Sequence, residues 1–150
     1  MRIAVVIFML VSSLLALGVG DKIDKETQQK LNLQDEKIAV VAFFAAWCSS
    51  CKKELPHIEI LSKEIDKDRY EIVGVGVDKN PKATEALVKK LGISFRTIND
   101  PDNEIIKEFN PVGIPSIYYV KDGVILRSMH GSINSVEQVI AKDLKELDTP

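Results

Sequence analysis

The chain has 150 residues, 45% of them apolar and 28% charged, with two cysteines, two histidines and a formal net charge of −2. A near-neutral body with interspersed charges offers no basic stripe for nucleic acid. Six prolines, eight glycines and no internal repeat exclude a low-complexity or repeat protein, and two cysteines cannot staple a disulfide scaffold.

Met1-Arg2 gives a short positive start, and Ile3 to Leu17 is apolar except for Ser12 and Ser13. Ala16, Gly18 and Gly20 then offer two small-x-small cleavage patterns, and charge begins at Asp21. This is the layout of a secretory signal peptide. An uncleaved anchor is the competing reading, since Ile3 to Val19 as a helix spans about 26 Å at 1.5 Å per residue, against a hydrocarbon core of about 30 Å. Residues 1–20 are therefore expected to be a signal peptide or membrane anchor, with residues 21–150 forming one domain outside the cytosol. Contact with a membrane is expected only through residues 1–20, if they are retained.

A weak helical tendency covers Lys22–Leu31. Ile38–Phe44 is a continuous apolar run of strand length, which fits a central strand covered on both faces. It leads through Ala45-Ala46-Trp47 into Cys48-Ser49-Ser50-Cys51. A helix is expected from there to about Lys67, with Leu55, Ile58, Leu61 and Ile65 on one face and a kink at Pro56. Tyr70–Val77 reads as a second buried strand, Pro81–Leu91 as a helix ending at Gly92, Ile93–Ile98 as a short strand and Asp102–Phe109 as a short helix. Ile117–Val120 and Val124–Met129 flank Lys121-Asp122-Gly123 and read as a hairpin. A last helix from about Asn134 has Ser135 and Gln138 at capping-box spacing, with Val136, Val139, Ile140, Leu144 and Leu147 as its apolar stripe. The order β-α-β-α-β-α-β-β-α gives an α/β class, a central mixed sheet with helices on both faces.

Both cysteines stand in one Cys48-x-x-Cys51 unit where a buried strand meets a helix. The first turn of a helix has unpaired N–H groups and a favourable dipole for negative charge, so a thiol there ionises more readily. The i, i+3 spacing lets the pair close a disulfide, which is what thiol–disulfide exchange requires. Other readings remain. A c-type haem site lacks its histidine, because Lys52 follows Cys51. A zinc site would need His57, His130 or carboxylates as further ligands. A plain structural disulfide, or a Cu(I) carrier using both thiolates with His130 or Met129, would use the same pair. A redox-inactive chaperone is a further reading, one in which Cys48→Ser would keep full activity. Val-Gly-Val-Gly-Val at 73–77 opens no helix and is not a dinucleotide site.

Trp47-Cys48-x-x-Cys51-Lys52 with Pro56 five residues on resembles the active-site segment of the thioredoxin fold, and Gly113-Ile114-Pro115-Ser116 before the hairpin resembles its cis-proline loop. The run Cys48 to Pro56, the leader and the extra helix and strand at 81–98 are more similar still to the exported TlpA/ResA-like thioredoxins. The resemblance covers about residues 36–147. It implies a thioredoxin-like fold with a helix–strand insertion and an extracytoplasmic thiol–disulfide oxidoreductase, in the bacterial periplasm or on the outer face of the cytoplasmic membrane. The expected partners are disulfide-containing exported proteins, such as apocytochromes c, and a membrane thiol reductant as electron donor. No cofactor or metal is called for. No Pro-x-x-x-Thr-x-x-Cys segment of a peroxidase occurs.

Three departures stand out. Ala42 replaces the buried aspartate that thioredoxins carry six residues before the first cysteine, Ser49-Ser50 is neither Gly-Pro nor Pro-His, and Ser116 stands where Thr is usual. Cys48 is expected to attack and Cys51 to resolve. Trp47, Ile114 and Pro115 are expected to receive the substrate, Pro115 as a cis residue rather than a trans proline opening an edge strand. Glu54, one turn after Cys51, is either a proton carrier for Cys51 or a solvated charge facing Lys52 and Lys53. His57, His130, Lys52 and Lys53 read as surface residues. Without a histidine between the cysteines, and with Glu54 near, the pair is expected to be a reductant rather than an oxidant.

Overall fold

A computed structural model describes residues 16–149. Most of the expected leader lies outside the described residues, and none of the described helices is long and apolar enough to cross a membrane.

The elements are α1 (Lys25–Leu31), β1 (Ile38–Phe44), α2 (Ser49–Glu64), β2 (Tyr70–Gly76), α3 (Pro81–Leu91), β3 (Arg96–Asn99), α4 (Glu104–Phe109), β4 (Ser116–Lys121), β5 (Val124–His130) and α5 (Val136–Leu147). The sheet order is β3-β2-β1-β4-β5, with β1, β2 and β3 parallel and β4 and β5 antiparallel. This is the expected mixed sheet. Every residue of β1 is buried because both of its faces are covered. Ala39, Val41 and Phe43 point into a core with Ile23 and Leu31 around α1 and with Ile105 and Phe109 of α4. Ile38, Val40 and Ala42 point into a second core with Ile58 and Leu61 of α2 and with Val136, Ile140 and Leu144 of α5. Strand alternation divides one apolar run between two cores.

The chain enters along the hairpin. The Gly20 N–H donates to the Ile125 carbonyl and the Ile125 N–H to Asp21, so residues 20–23 hold the β4–β5 turn before Ile23 enters the core. Gly123 sits in that turn at φ 76°, where a side chain would collide with Gln28.

Several boundaries moved, each for a local reason. The strand expected at Ile93–Ile98 begins at Arg96, because the Glu59 carboxylate of α2 accepts the N–H groups of Ser94 (2.8 Å) and Phe95 (3.3 Å) and the Ser94 hydroxyl. Those amides are thereby withdrawn from the ladder. The helix expected from Asp102 begins at Glu104. Asn103 has a left-handed backbone, and the buried Asp100 carboxylate caps the N–H groups of Ile105 (3.1 Å) and Ile106 (2.9 Å) instead. Helix α2 passes through Pro56 and stops at Glu64, where Ile65 turns extended. The capping box at Ser135 does not form, since Ser135 is left-handed (φ 53°) and its side chain caps nothing. Val139 and Leu147 are half-buried, and Asp143 takes a buried place on the helix. There it accepts from the Tyr119 hydroxyl at 2.8 Å and pairs with Arg127.

Glu59 ties the α3–β3 excursion to α2. Burial alone would push its carboxyl up, but Ser94, Lys63 and Phe95 outweigh burial and hold it at about 2. A carboxyl held below its unfolded value near 4.5 contributes stability above that pH and loses it as pH falls towards 2. Glu59→Gln is expected to remove on the order of 2 kcal/mol at pH 7 and little at pH 2, read by urea unfolding at both pH values. An equal loss at both would show that geometry, not charge, carries the contact.

Candidate active site

At its C-terminal end β1 leaves the sheet and the chain must turn into α2. The Cys48 N–H closes that turn on the Ala45 carbonyl at 3.1 Å. Cys48 is the N-cap of α2, with an extended backbone, and its Sγ accepts the Cys51 N–H at 3.2 Å. Cys48 and Cys51 are joined as a disulfide, their Cα atoms 5.3 Å apart. When that bond opens, the same N–H and the helix dipole favour a thiolate at Cys48. Cys48 is 6% exposed and Cys51 1%, so an approaching sulfur meets Cys48 first.

The other expected site residues gather at the same end. Trp47 is 70% exposed beside the disulfide. The Ile114–Pro115 peptide bond is cis, as expected. Neither the N–H nor the carbonyl of Ile114 makes a hydrogen bond among the described residues, while the Pro115 carbonyl accepts the Gly131 N–H at 2.9 Å. Trp47 and Ile114 border a groove of about 400 Å3 with Val77 and Ile106.

Glu54 is buried, which removes the reading as a solvated charge facing Lys52 and Lys53. Its carboxylate accepts the Ile133 N–H at 2.6 Å and a hydrogen bond from Ser132. Burial raises its carboxyl above the ordinary range, and those two bonds pull it partly back. Glu54 also lines a cavity of about 10 Å3 with Ala42, Cys51 and Pro115. Such a space has room for about one water. The small side chain of Ala42 borders it, so an acidic group from α2 stands beside the cavity that the β1 position faces.

Lys52, Lys53, His57 and His130 are exposed, as expected. His57 Nδ1 lies 3.2 Å from Glu137, and His130 Nδ1 lies 3.1 Å from the Ser116 hydroxyl. Among the described residues, no three His, Cys, Asp or Glu side chains gather to hold a metal ion.

Asp78 escaped the sequence reading. It is buried just past β2, and its two oxygens accept the Ala46 N–H at 2.8 and 3.1 Å and the Thr84 hydroxyl at 2.7 Å. Gly76 leaves room for this arrangement, since a Cβ there would lie 2.3 Å from Thr84 Cγ2. An acidic residue directly after a buried apolar strand was the available signal. Nothing in the sequence marked Ser132 and Ile133, whose contact with Glu54 spans 79 positions.

A parallel–antiparallel sheet of this order, with a Cys-x-x-Cys disulfide at the first turn of α2 and a cis-proline against it, defines a thioredoxin-like protein. The chain belongs to the AhpC/TSA family, whose model matches residues 19–129. It is similar to the thiol-disulfide oxidoreductase ResA of Bacillus thuringiensis subsp. konkukian, 27% identical over 106 residues that cover 69% of this chain and 61% of that protein. It is also similar to the thiol:disulfide interchange protein HelX of Rhodobacter capsulatus, 30% identical over 118 residues, 77% of this chain and 64% of that one. The chain thus spans about three fifths of the length of these relatives. StoA from Bacillus subtilis shares the fold, with a TM-score of 0.65 at 23% identity, covering 77% of this chain and 85% of that one.

Asp78→Ala is expected to destabilise the protein by about 1–3 kcal/mol, because the Ala46 N–H loses its acceptor in a half-buried loop. It should also lower the fluorescence anisotropy of Trp47, the one tryptophan of the chain. Unchanged anisotropy would show that the disulfide alone holds the loop.

Proposed function

We propose that the protein is an exported thiol–disulfide oxidoreductase that reduces disulfides of other exported proteins, with a membrane thiol reductant as its electron donor. The observation that carries this reading is the Cys48–Cys51 disulfide at the start of α2, with Cys48 the more exposed sulfur. The leader-like residues 1–20 support the location, and the ResA and HelX relatives support the activity and the kind of partner.

In the reduced protein the Cys48 thiolate attacks one sulfur of a substrate disulfide. That S–S bond breaks, a mixed disulfide with Cys48 forms, and the first substrate sulfur leaves as a thiolate that takes a proton. Cys51 then gives its proton to Glu54 and attacks the Cys48 sulfur. The second substrate thiolate leaves, and the Cys48–Cys51 disulfide is restored with two electrons passed on. A dithiol of the donor reverses the last state. Trp47 and the cis-proline loop hold the substrate, whose backbone pairs with the open N–H and carbonyl of Ile114. Raised by burial, the Glu54 carboxylate takes up a proton more readily than an exposed carboxylate would.

The deciding measurement is the reduction potential of the pair, followed through Trp47 emission in thiol buffers. A value near or below about −250 mV is expected for a reductant, whereas about −120 to −180 mV would make the protein an oxidase or isomerase. Glu54→Gln is expected to slow exchange about 10–100-fold at neutral pH and to flatten the rise of the rate as the wild-type carboxyl deprotonates. A pH profile identical to wild type would exclude Glu54 from proton transfer.

A further inference from the structure

Two hollows flank the Ala46–Trp47 loop. The groove of about 400 Å3 runs from Trp47 past Val77 and Ile106, and Lys107 is the charged residue in its lining. The second, of about 240 Å3, lies between Ala46 and α3, with apolar Leu87 and Leu91 in its lining and Lys52 and Lys90 as the charged residues. The charged residues that line these two hollows are therefore all lysines, set beside apolar floors in a chain whose formal net charge is −2.

The carboxylates nearby have partners, and of these Glu104, paired with Lys30, also feels the Lys107 charge. Helix α4 sends Glu104 to Lys30 at 2.6 Å and Glu108 to the Asp24 N–H at 3.1 Å, both towards the α1 segment. The same helix brings Asn103, Ile106 and Lys107 to the groove. On α3, Glu85 accepts the Asn99 amide at 3.2 Å, while Lys90 faces the second hollow. Glu54 and Asp78 are buried and hydrogen-bonded. Lys52, Lys90 and Lys107 are exposed, and none makes an ion pair within 4 Å among the described residues. A concentrated field of one sign beside an apolar floor attracts the opposite charge and raises encounter rates in a salt-dependent way.

We propose that the surface around the disulfide selects acidic partners: cysteine-bearing polypeptide segments with an apolar residue for the groove and carboxylates on either side. This rests on the oxidoreductase reading and names the substrate class of the same site. The apolar residue seats against Ile106 and Ile114, the flanking carboxylates meet Lys107 and the Lys52–Lys90 pair, and the scissile sulfur is drawn to Cys48.

The test uses the reduced full chain and three tryptophan-free synthetic peptides. Each carries one intramolecular disulfide and the same apolar core, flanked by glutamates, lysines or serines, and oxidation is followed through Trp47. At about 20 mM salt the glutamate peptide should react about 10-fold faster than the lysine peptide, and the ratio should fall below about 2 at 0.5 M salt. A Lys90→Glu, Lys107→Glu double variant should invert the order. Lys107→Ala alone, at an exposed helix position, should narrow the ratio by about 2–3-fold. Equal rates for the three peptides, or a ratio indifferent to salt and to Lys107→Ala, would overturn the proposed selectivity while leaving disulfide exchange intact. Failure to oxidise with any peptide would instead overturn the oxidoreductase reading, and this inference with it.

Discussion

The burial of β1 on both faces is the constraint on which the working end depends. A strand sealed between two cores cannot shift or tilt, so the point where it leaves the sheet is fixed to within a residue. Cys48 stands four residues beyond that point, and the buried Asp78 fixes the intervening loop by taking the Ala46 N–H. The neighbouring strands set the rest. Parallel β2 ends beside β1 and supplies Asp78, while antiparallel β4 begins at the same end and brings Pro115 with it. The disulfide and the cis-proline thus meet because two strands of opposite direction share one end of one sheet.

Much of this is legible in the sequence, for a physical reason. The seven apolar residues of β1, the Gly-containing turn at Lys121-Asp122-Gly123 and the three-residue spacings of Leu55, Ile58 and Leu61 in α2 are local signals, and the structure obeys them. The Cys-x-x-Cys unit and the Ile-Pro-Ser loop are local as well. What the sequence hides is long-range. Ser94 and Phe95 look like strand residues until Glu59, 35 and 36 positions away, takes their amides. Ser135 has the right neighbour for a capping box, yet the turn after Gly131 delivers it in a left-handed conformation. Glu54 could not be assigned to the interior from its own segment, where Lys52 and Lys53 immediately precede it, because its acceptor role is defined by Ile133.

Ala42 illustrates how a missing group can be supplied from another element. In the sequence it marks the loss of an acidic residue facing the second cysteine. In the fold it borders a cavity that also touches Cys51 and Glu54. Judged by the strand alone, no acidic group is present; judged by the cavity, an acidic side chain faces it from the adjacent helix. The relevant unit of comparison between thioredoxin-like proteins is therefore the set of groups facing the space beside the second cysteine, rather than the residue at one alignment column.

The three residues Gly131–Ile133 join two halves of the site. Gly131, at φ 82°, donates its N–H to the carbonyl of the cis-proline, and the next two residues hold the Glu54 carboxylate. A single short connection thereby sits between the surface that would receive a substrate and the acid that would manage its protons. On the proposed function, substrate binding at the cis-proline and proton transfer at Glu54 would share one mechanical support, so remodelling this loop to change one would alter the other. The route to separating them lies in α4 and α3, whose side chains reach the substrate hollows without touching that support.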